Sequence, residues 1–235
     1  MASVLGIIRN KASGIAGAVE LFIDNIKQTQ YNQCELVEYM PQFISKSTLP
    51  YNFYQGSAVV LNDEIHIIGG SGNATKHYKW DGNSWTSVST LPYNFYRGSA
   101  VVLNDEIHLL GSYYSSTGST KHYKWDGNSW TSAPTLPYEF GKGSAVTYKN
   151  EIHLLGSDSG AYASSDFRSH YKWDGSSWTI VSTLPYEFYN GSAVVLNDEI
   201  HILGDANSSF TSSYTKYHYY LLRGIGKRYK AILSS

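Results

Sequence analysis

A single cysteine, Cys34, stands in this 235-residue chain, so no intrachain disulfide is possible and a secreted disulfide scaffold is excluded. Charge is equally sparse: 18 Lys and Arg face 19 Asp and Glu, for a net charge of −1. Nucleic-acid binding needs clustered Lys and Arg to neutralise phosphates, and no long basic block is present. The short cluster Arg223, Lys227 and Arg228 reads as a solvated hairpin. No apolar run reaches the ~18 residues of a membrane helix. The opening stretch, MASVLGIIRNKASGIAGAVELF, is broken by Arg9, Lys11 and Glu20 and does not read as a signal peptide. Expected synthesis is therefore cytoplasmic.

Aromatic residues, by contrast, are abundant: 21 Tyr, 8 Phe and 6 Trp. With 42% hydrophobic residues the chain has material for one large core. The dominant feature is repetition. LPYNFYQGSAVVLNDEIHIIG at 49–69 recurs at 91–111 with 18 of 21 positions identical, and returns in altered form from Leu136 and Leu184. The Leu-Pro pairs at 49, 91, 136 and 184 set periods of 42, 45 and 48 residues. Such a period suits a propeller blade or a helical repeat.

Local pattern favours strands. Ser-Ala-Val-Val-Leu is a β-branched run, followed by turn residues such as Asn62-Asp63 and then by EIHIIGG. After a variable polar loop, KHYKW alternates, placing Tyr78 and Trp80 on one side and His77 and Lys79 on the other. Asp81-Gly82 supplies a turn, and SWTSVST a fourth strand. Leu-Pro then ends it, because proline has no N–H for a sheet ladder. Each repeat (49–90, 91–135, 136–183, 184–235) thus predicts four antiparallel strands.

These residues resemble the kelch repeat: a small apolar first strand, a Gly pair after the second, and a Tyr and Trp about seven apart. The Gly pair is whole at Gly69-Gly70 and altered to Gly111-Ser112, Gly156-Ser157 and Gly204-Asp205. The aromatic spacing holds at Tyr78/Trp85, Tyr123/Trp130 and Tyr171/Trp178, while the last repeat has no Trp. The resemblance covers about 34–235 and implies a kelch-like β-propeller of four-stranded antiparallel blades. Residues 1–48 form either a divergent first blade or an N-terminal anchor. CELVEYMPQFISKSTLP suggests a worn third and fourth strand, and SVLGIIRN and GAVELFID a first and second, which together make five blades. The alternative is four blades plus a helix over 12–28, with Ile15, Val19, Phe22 and Ile26 as its apolar stripe. Assembly of a ring from two chains is a further alternative.

Catalytic chemistry finds little support in the pattern. A triad needs one unique nucleophile, base and acid, and here Ser and His are repeated in every copy. The pairs His66/His77, His108/His122, His153/His170 and His201/His218 sit on neighbouring strands; they are expected to fill positions between blades, not to hold a metal. No cofactor is expected. The Asp-box of sialidase-type propellers is not matched, because Gly82 follows Asp81 directly and Trp85 comes four later.

In a four-stranded blade alternate connections share an end. The loop between blades, LPYNFY and its copies, therefore shares a face with the loop from second to third strand, where nearly all length variation falls. Tyr, Ser, Gly and Asn dominate there, a composition of adaptable binding surfaces. The expected ligand contacts are Tyr54, Tyr96, Tyr113, Tyr114, Tyr162, Phe167, Arg168, Tyr189, Phe210 and Tyr214. The function expected is a non-catalytic module that binds a protein or a surface glycan. The resemblance extends to kelch-like proteins of bacteria and their phages, which implies a virion or tail surface role, with residues 1–48 as the assembly contact. A structural virion protein and a sugar-processing kelch enzyme are the alternatives.

Overall fold

The computed structural model describes residues 21–23, 26–28, 45–113, 117–158, 166–204, 218–221 and 229–231. The chain divides into two units, Met1–Lys46 and Ser47–Ser235. In the first, strands β1 (Leu21–Ile23) and β2 (Ile26–Gln28) pair antiparallel, with Ile23 opposite Ile26 across Asp24-Asn25. The sequence between the two short strands, Asp-Asn, is of the residue types that favour a turn over a continued helix.

The second unit is a β-propeller of four blades, each a four-stranded antiparallel sheet. Blade 1 holds β3 (Ser57–Leu61), β4 (Glu64–Ile68), β5 (His77–Trp80) and β6 (Trp85–Ser87). Blade 2 holds β7 (Ser99–Leu103), β8 (Glu106–Leu110), β9 (His122–Trp125) and β10 (Trp130–Ser132). Blade 3 holds β11 (Ser144–Tyr148), β12 (Glu151–Leu155), β13 (Ser169–Trp173) and β14 (Trp178–Thr183). Blade 4 holds β15 (Ser192–Leu196), β16 (Glu199–Leu203), β17 (His218–Leu221) and β18 (Tyr229–Ala231).

Two expectations for residues 1–48 need correction. Among the described residues the blades number four rather than five, because β1 and β2 pair with each other in a two-stranded sheet of their own. A helix running through residue 28 gives way to the same hairpin. The strands suggested within SVLGIIRN and over 34–44 lie outside the described residues, and 45–49 form no strand.

Register repeats from blade to blade. Ser57 faces Ile68 and Leu61 faces Glu64, as Ser99 faces Leu110 and Leu103 faces Glu106. The turn between these strands puts both of its residues in the left-handed region: Asn62 and Asp63 at φ 52° and 61°, Asn104 and Asp105 at 51° and 58°. That is the tight two-residue hairpin whose twist suits paired strands. The first strands β3, β7, β11 and β15 lie innermost and touch in succession. Side chains join them: Ser57 Oγ accepts from Ala100 N (3.2 Å), Ser144 Oγ from Ala193 N (3.0 Å), and Thr147 Oγ1 donates to Val102 O (2.7 Å).

The core lies between blades. Leu61 and Ile68 of blade 1 pack with Phe95, Ile107, Leu109 and Trp125 of blade 2, and the same step recurs between the later blades. Phe95, Phe140 and Phe188 are fully enclosed. Burying each such ring contributes roughly 2–3 kcal/mol by transfer alone. Gly111 explains itself here: at φ 64°, an added Cβ would sit 2.2 Å from Phe140 O. Only glycine lets the end of the second strand pass under the next blade's aromatic loop.

Candidate functional site

Backbone hydrogen bonds build one loop face. In blade 1 the second-to-third strand loop bonds the interblade loops on either side: Ser71 N donates to Tyr54 O (2.8 Å), Gly70 N to Phe95 O (2.9 Å), and Phe95 N to Ala74 O (2.8 Å). In blades 2 and 3 a serine takes the place of the second glycine and adds a side-chain tie. Ser112 Oγ donates to Asn94 O (2.9 Å) and accepts from Tyr96 N (3.1 Å); Ser157 Oγ donates to Glu139 O (2.8 Å) and accepts from Gly141 N (3.1 Å). The altered glycine pair is therefore a substitute lock.

At the axial end of this face, one residue from each blade precedes the glycine that leads into the inner strand. These are Gln55, Arg97, Lys142 and Asn190, all at positive φ between 52° and 59° and all non-glycine. They link into a ladder of their own: Arg97 N donates to Gln55 O (2.9 Å), Lys142 N to Arg97 O (2.7 Å), and Asn190 N to Lys142 O (2.7 Å). A left-handed backbone at Gln, Arg or Lys costs on the order of 1 kcal/mol or more, and such strain gathers at functional positions. The same position is one of three that differ between the nearly identical segments 49–69 and 91–111. The backbone ladder thus holds fixed geometry while the side chain is exchanged.

The charges at this end are unequal. Lys142 Nζ meets Asp158 Oδ2 at 2.6 Å and lies 3.7 Å above the Tyr113 ring centre. The Arg97 guanidinium stacks 5.1 Å over Tyr96, while its Nε, and Gln55 Oε1, are buried without a hydrogen-bond partner among the described residues. Beside this end, Thr75, Asn94, Ser112, Thr117, Ser119 and Lys121 contribute to an open cleft of about 500 Å³ between the loops of blades 1 and 2.

The expected contact residues distribute as follows. Tyr54 is exposed, and Tyr96 and Tyr113 are half-buried, each beside an axial cation. Tyr189 is half-buried and pairs with Phe167 at 5.5 Å between ring centres. Arg168 is exposed, yet its Nε and Nη2 donate to Leu184 O and Pro185 O (both 3.0 Å), which ties it to the scaffold. Tyr114, Tyr162, Phe210 and Tyr214 lie outside the described residues. The first Tyr of each LPY belongs to the scaffold: Tyr51, Tyr93, Tyr138 and Tyr186 donate to the carbonyls of Gly69, Gly111, Gly156 and Gly204 at 2.8–3.2 Å. Sequence reasoning missed Gln55, Arg97, Lys142 and Asn190, although their variation inside a repeated segment was the available signal.

The histidine pairs are structural joints. Nδ1 of the first meets Nε2 of the second at 2.8–2.9 Å in all four blades. In blades 1 and 2 the second ring abuts the next blade edge-on: His77 against Trp125 (5.3 Å) and His122 against Trp173 (5.2 Å). Burial, with repulsion from its partner His, pushes His77, His122 and His170 down to about 3, and burial takes His108 and His153 to about 4. These rings are neutral at pH 7. No group of three or more metal-ligating side chains occurs among the described residues.

The opposite face carries the short hairpins. Asp81 Oδ1 accepts from Asn83 N and Ser84 N (both 2.8 Å), an arrangement repeated at Asp126 and Asp174. Those bonds hold the carboxyls below the usual carboxylate range. Gly82, Gly127 and Gly175 at φ 96–100° complete each turn. The Asp carboxyl and the Ser hydroxyl of the repeated turn thus bond within the turn.

No protein-family model matches the chain, and no curated protein matches it. Among solved structures it is similar to that of YjhT, with a TM-score of 0.68 at 14% identity over 79% of this chain. The match spans 66% of that structure's length. At this identity the likeness is one of fold, and it supports the β-propeller. Among the described residues no helix is long and apolar enough to cross a membrane.

Proposed function

We propose that this chain is a kelch-like propeller acting as a non-catalytic binding module, and that its loop face holds a surface glycan bearing a carboxylate. The observation that carries this reading is the axial quartet Gln55, Arg97, Lys142 and Asn190. Its backbone is strained and laddered, its side chains differ where neighbouring residues repeat, and it brings two cations to one end of the propeller axis. The Arg97 fork suits a carboxylate, since guanidinium pairs with that group in two parallel hydrogen bonds. Gln55 and Asn190 supply neutral donors and acceptors for hydroxyls. Tyr54, Tyr96 and Tyr113 offer ring faces against which a sugar ring can stack. None of these groups forms a nucleophile–base pair, so the site is suited to holding a ligand intact. A role on a phage surface is the biological setting proposed for such a module.

The test is a binding screen of the whole chain against carboxylated, sulfated and neutral oligosaccharides, run beside Arg97→Gln. Glutamine stands at the same backbone position in blade 1, so this substitution fits the fold. Retention of carboxylated glycans with at least about tenfold loss in the variant supports the reading, the size expected for one charge-assisted contact of 1.5–3 kcal/mol. Equal retention by both proteins, or chemical conversion of the sugar, overturns it.

A further inference from the structure

Each blade has two unlike faces. One presents Val59, Leu61 and the histidine pair, or their counterparts; the other presents Ile65, Trp80 and Trp85, or theirs. Between consecutive blades the first kind of face always meets the second. Three such steps occur, so blade 1 keeps a face of the second kind and blade 4 a face of the first kind.

Among the described residues of the second unit, none covers either leftover face. Ile65 in blade 1 is 42% exposed, while its counterparts Ile107, Ile152 and Ile200 are at most 2% exposed. Leu196 in blade 4 is 57% exposed against 5% and 3% for Leu61 and Leu103, and Val194 is 44% exposed against 8% and 9% for Val101 and Val146. The aromatic joint shows the same imbalance. Trp80 and Trp85 stand 5.5 Å apart, close to the 5.3 Å of Trp125 and Trp130, with no preceding histidine among the described residues. His201 and His218 form their bonded pair in blade 4 without a following blade's Trp. The axial ladder likewise ends, among the described residues, at Gln55 and Asn190.

We infer that a second copy of this chain docks its blade 4 on the blade 1 face, repeating head to tail the step made three times inside the chain. The occupant is specified by sequence. The blade 1 face is built from nearly the same residues as the blade 2 face, which a blade in this same chain already covers. His218 then enters the Trp80–Trp85 notch as His77 enters Trp125–Trp130, and Gln55 N of one copy extends the ladder from Asn190 O of the other. Such a contact joins unlike surfaces, so copies complete a ring where the rotation closes and add to an open row where it does not. Burial of these side chains supplies the driving force, as it does between blades.

The test is the solution mass of the full chain by light scattering, from low to high micromolar concentration, with Ile65→Lys and Leu196→Glu beside it. Both side chains are exposed in the single chain, so each variant folds, which its melting curve verifies. A wild-type mass of two or more chains, a single-chain mass for each variant, and recovery of the paired mass on mixing the two variants are expected. Mixing succeeds because one variant keeps an intact blade 4 face and the other an intact blade 1 face. A single-chain mass for the wild type at every concentration overturns the inference. Sensitivity to only one of the two substitutions, or no recovery on mixing, overturns it as well.

Discussion

Lowering the pH from 7.5 to 5 should strongly destabilise this protein, and the histidine pairs set the size of the effect. All eight histidines of the chain sit in these pairs. Five have folded-state values of about 3 or 4: His77, His108, His122, His153 and His170. In the unfolded chain each reverts to about 6.5. Below 6.5 the unfolded state therefore binds more protons than the folded one, and stability falls as pH falls. At pH 5 each of these rings favours unfolding by about 2 kcal/mol, from 1.5 units at 1.36 kcal/mol per unit. Five rings give an upper limit on the order of 10 kcal/mol, comparable with the whole stability of a domain. The lysines near the pairs, Lys79 and Lys124, add to the cost of charging, and Glu64 offsets part of it. The assay is guanidinium denaturation followed by Trp fluorescence at pH 7.5, 6.5, 5.5 and 5. The midpoint should drop steeply below 6.5. Replacing one pair, His108→Gln with His122→Gln, should make that drop shallower. A midpoint unchanged between pH 7.5 and 5 would refute the reasoning.

Other perturbations test the scaffold separately. Gly111→Ala should destabilise by roughly 3 kcal/mol or more, since it combines positive φ with a collision at Phe140 O; the matching change at Gly127, also at positive φ but with nothing near its Cβ, should cost less in the same chemical melt. Tyr138→Phe removes the hydroxyl that donates to Gly156 O at 3.0 Å, and should lower stability by about 1 kcal/mol with unchanged ligand binding. Asp126→Ala leaves two turn amides without their acceptor and should weaken folding above pH 4. The wild-type advantage should vanish as acid protonates the folded carboxyl, because its value is depressed and its contribution is lost below the usual carboxylate range. A pH-independent difference would show that the carboxylate's charge is not what holds the turn.

Much of this architecture was legible because repetition supplies the same message four times. Alternation in KHYKW placed the His and Trp on opposite faces, and the structure turns those faces into the two halves of each blade joint. The turn residues Asn62-Asp63 were readable from chemistry, since both tolerate positive φ. What hid was anything decided between repeats. Tyr51, Tyr93, Tyr138 and Tyr186 share a loop with the expected contacts, and nothing local reveals that a strand-end carbonyl 18 residues on will take the hydroxyl. Arg168, expected as a ligand contact, also donates to Leu184 O and Pro185 O, partners that no local pattern announces. The apolar stripe proposed for a helix ends in Phe22 and Ile26, which fall instead on two paired antiparallel strands. Gln55, Arg97, Lys142 and Asn190 escaped notice because they are few and polar. Their role rests on a backbone ladder that no single repeat displays.

The claim at the centre of this account is that function resides at the axial end of the loop face and the repeated hairpins serve only as scaffold. The most direct measurement is the affinity for a carboxylated glycan of three proteins: wild type, Arg97→Gln with Lys142→Gln, and Asn83→Ser, which copies the hairpin turn of blade 3. The account predicts loss of binding in the axial double variant, which its melting curve shows to be folded under the assay conditions, and wild-type affinity in the hairpin variant. Wild-type affinity in the axial variant, or loss in the hairpin variant, would contradict it.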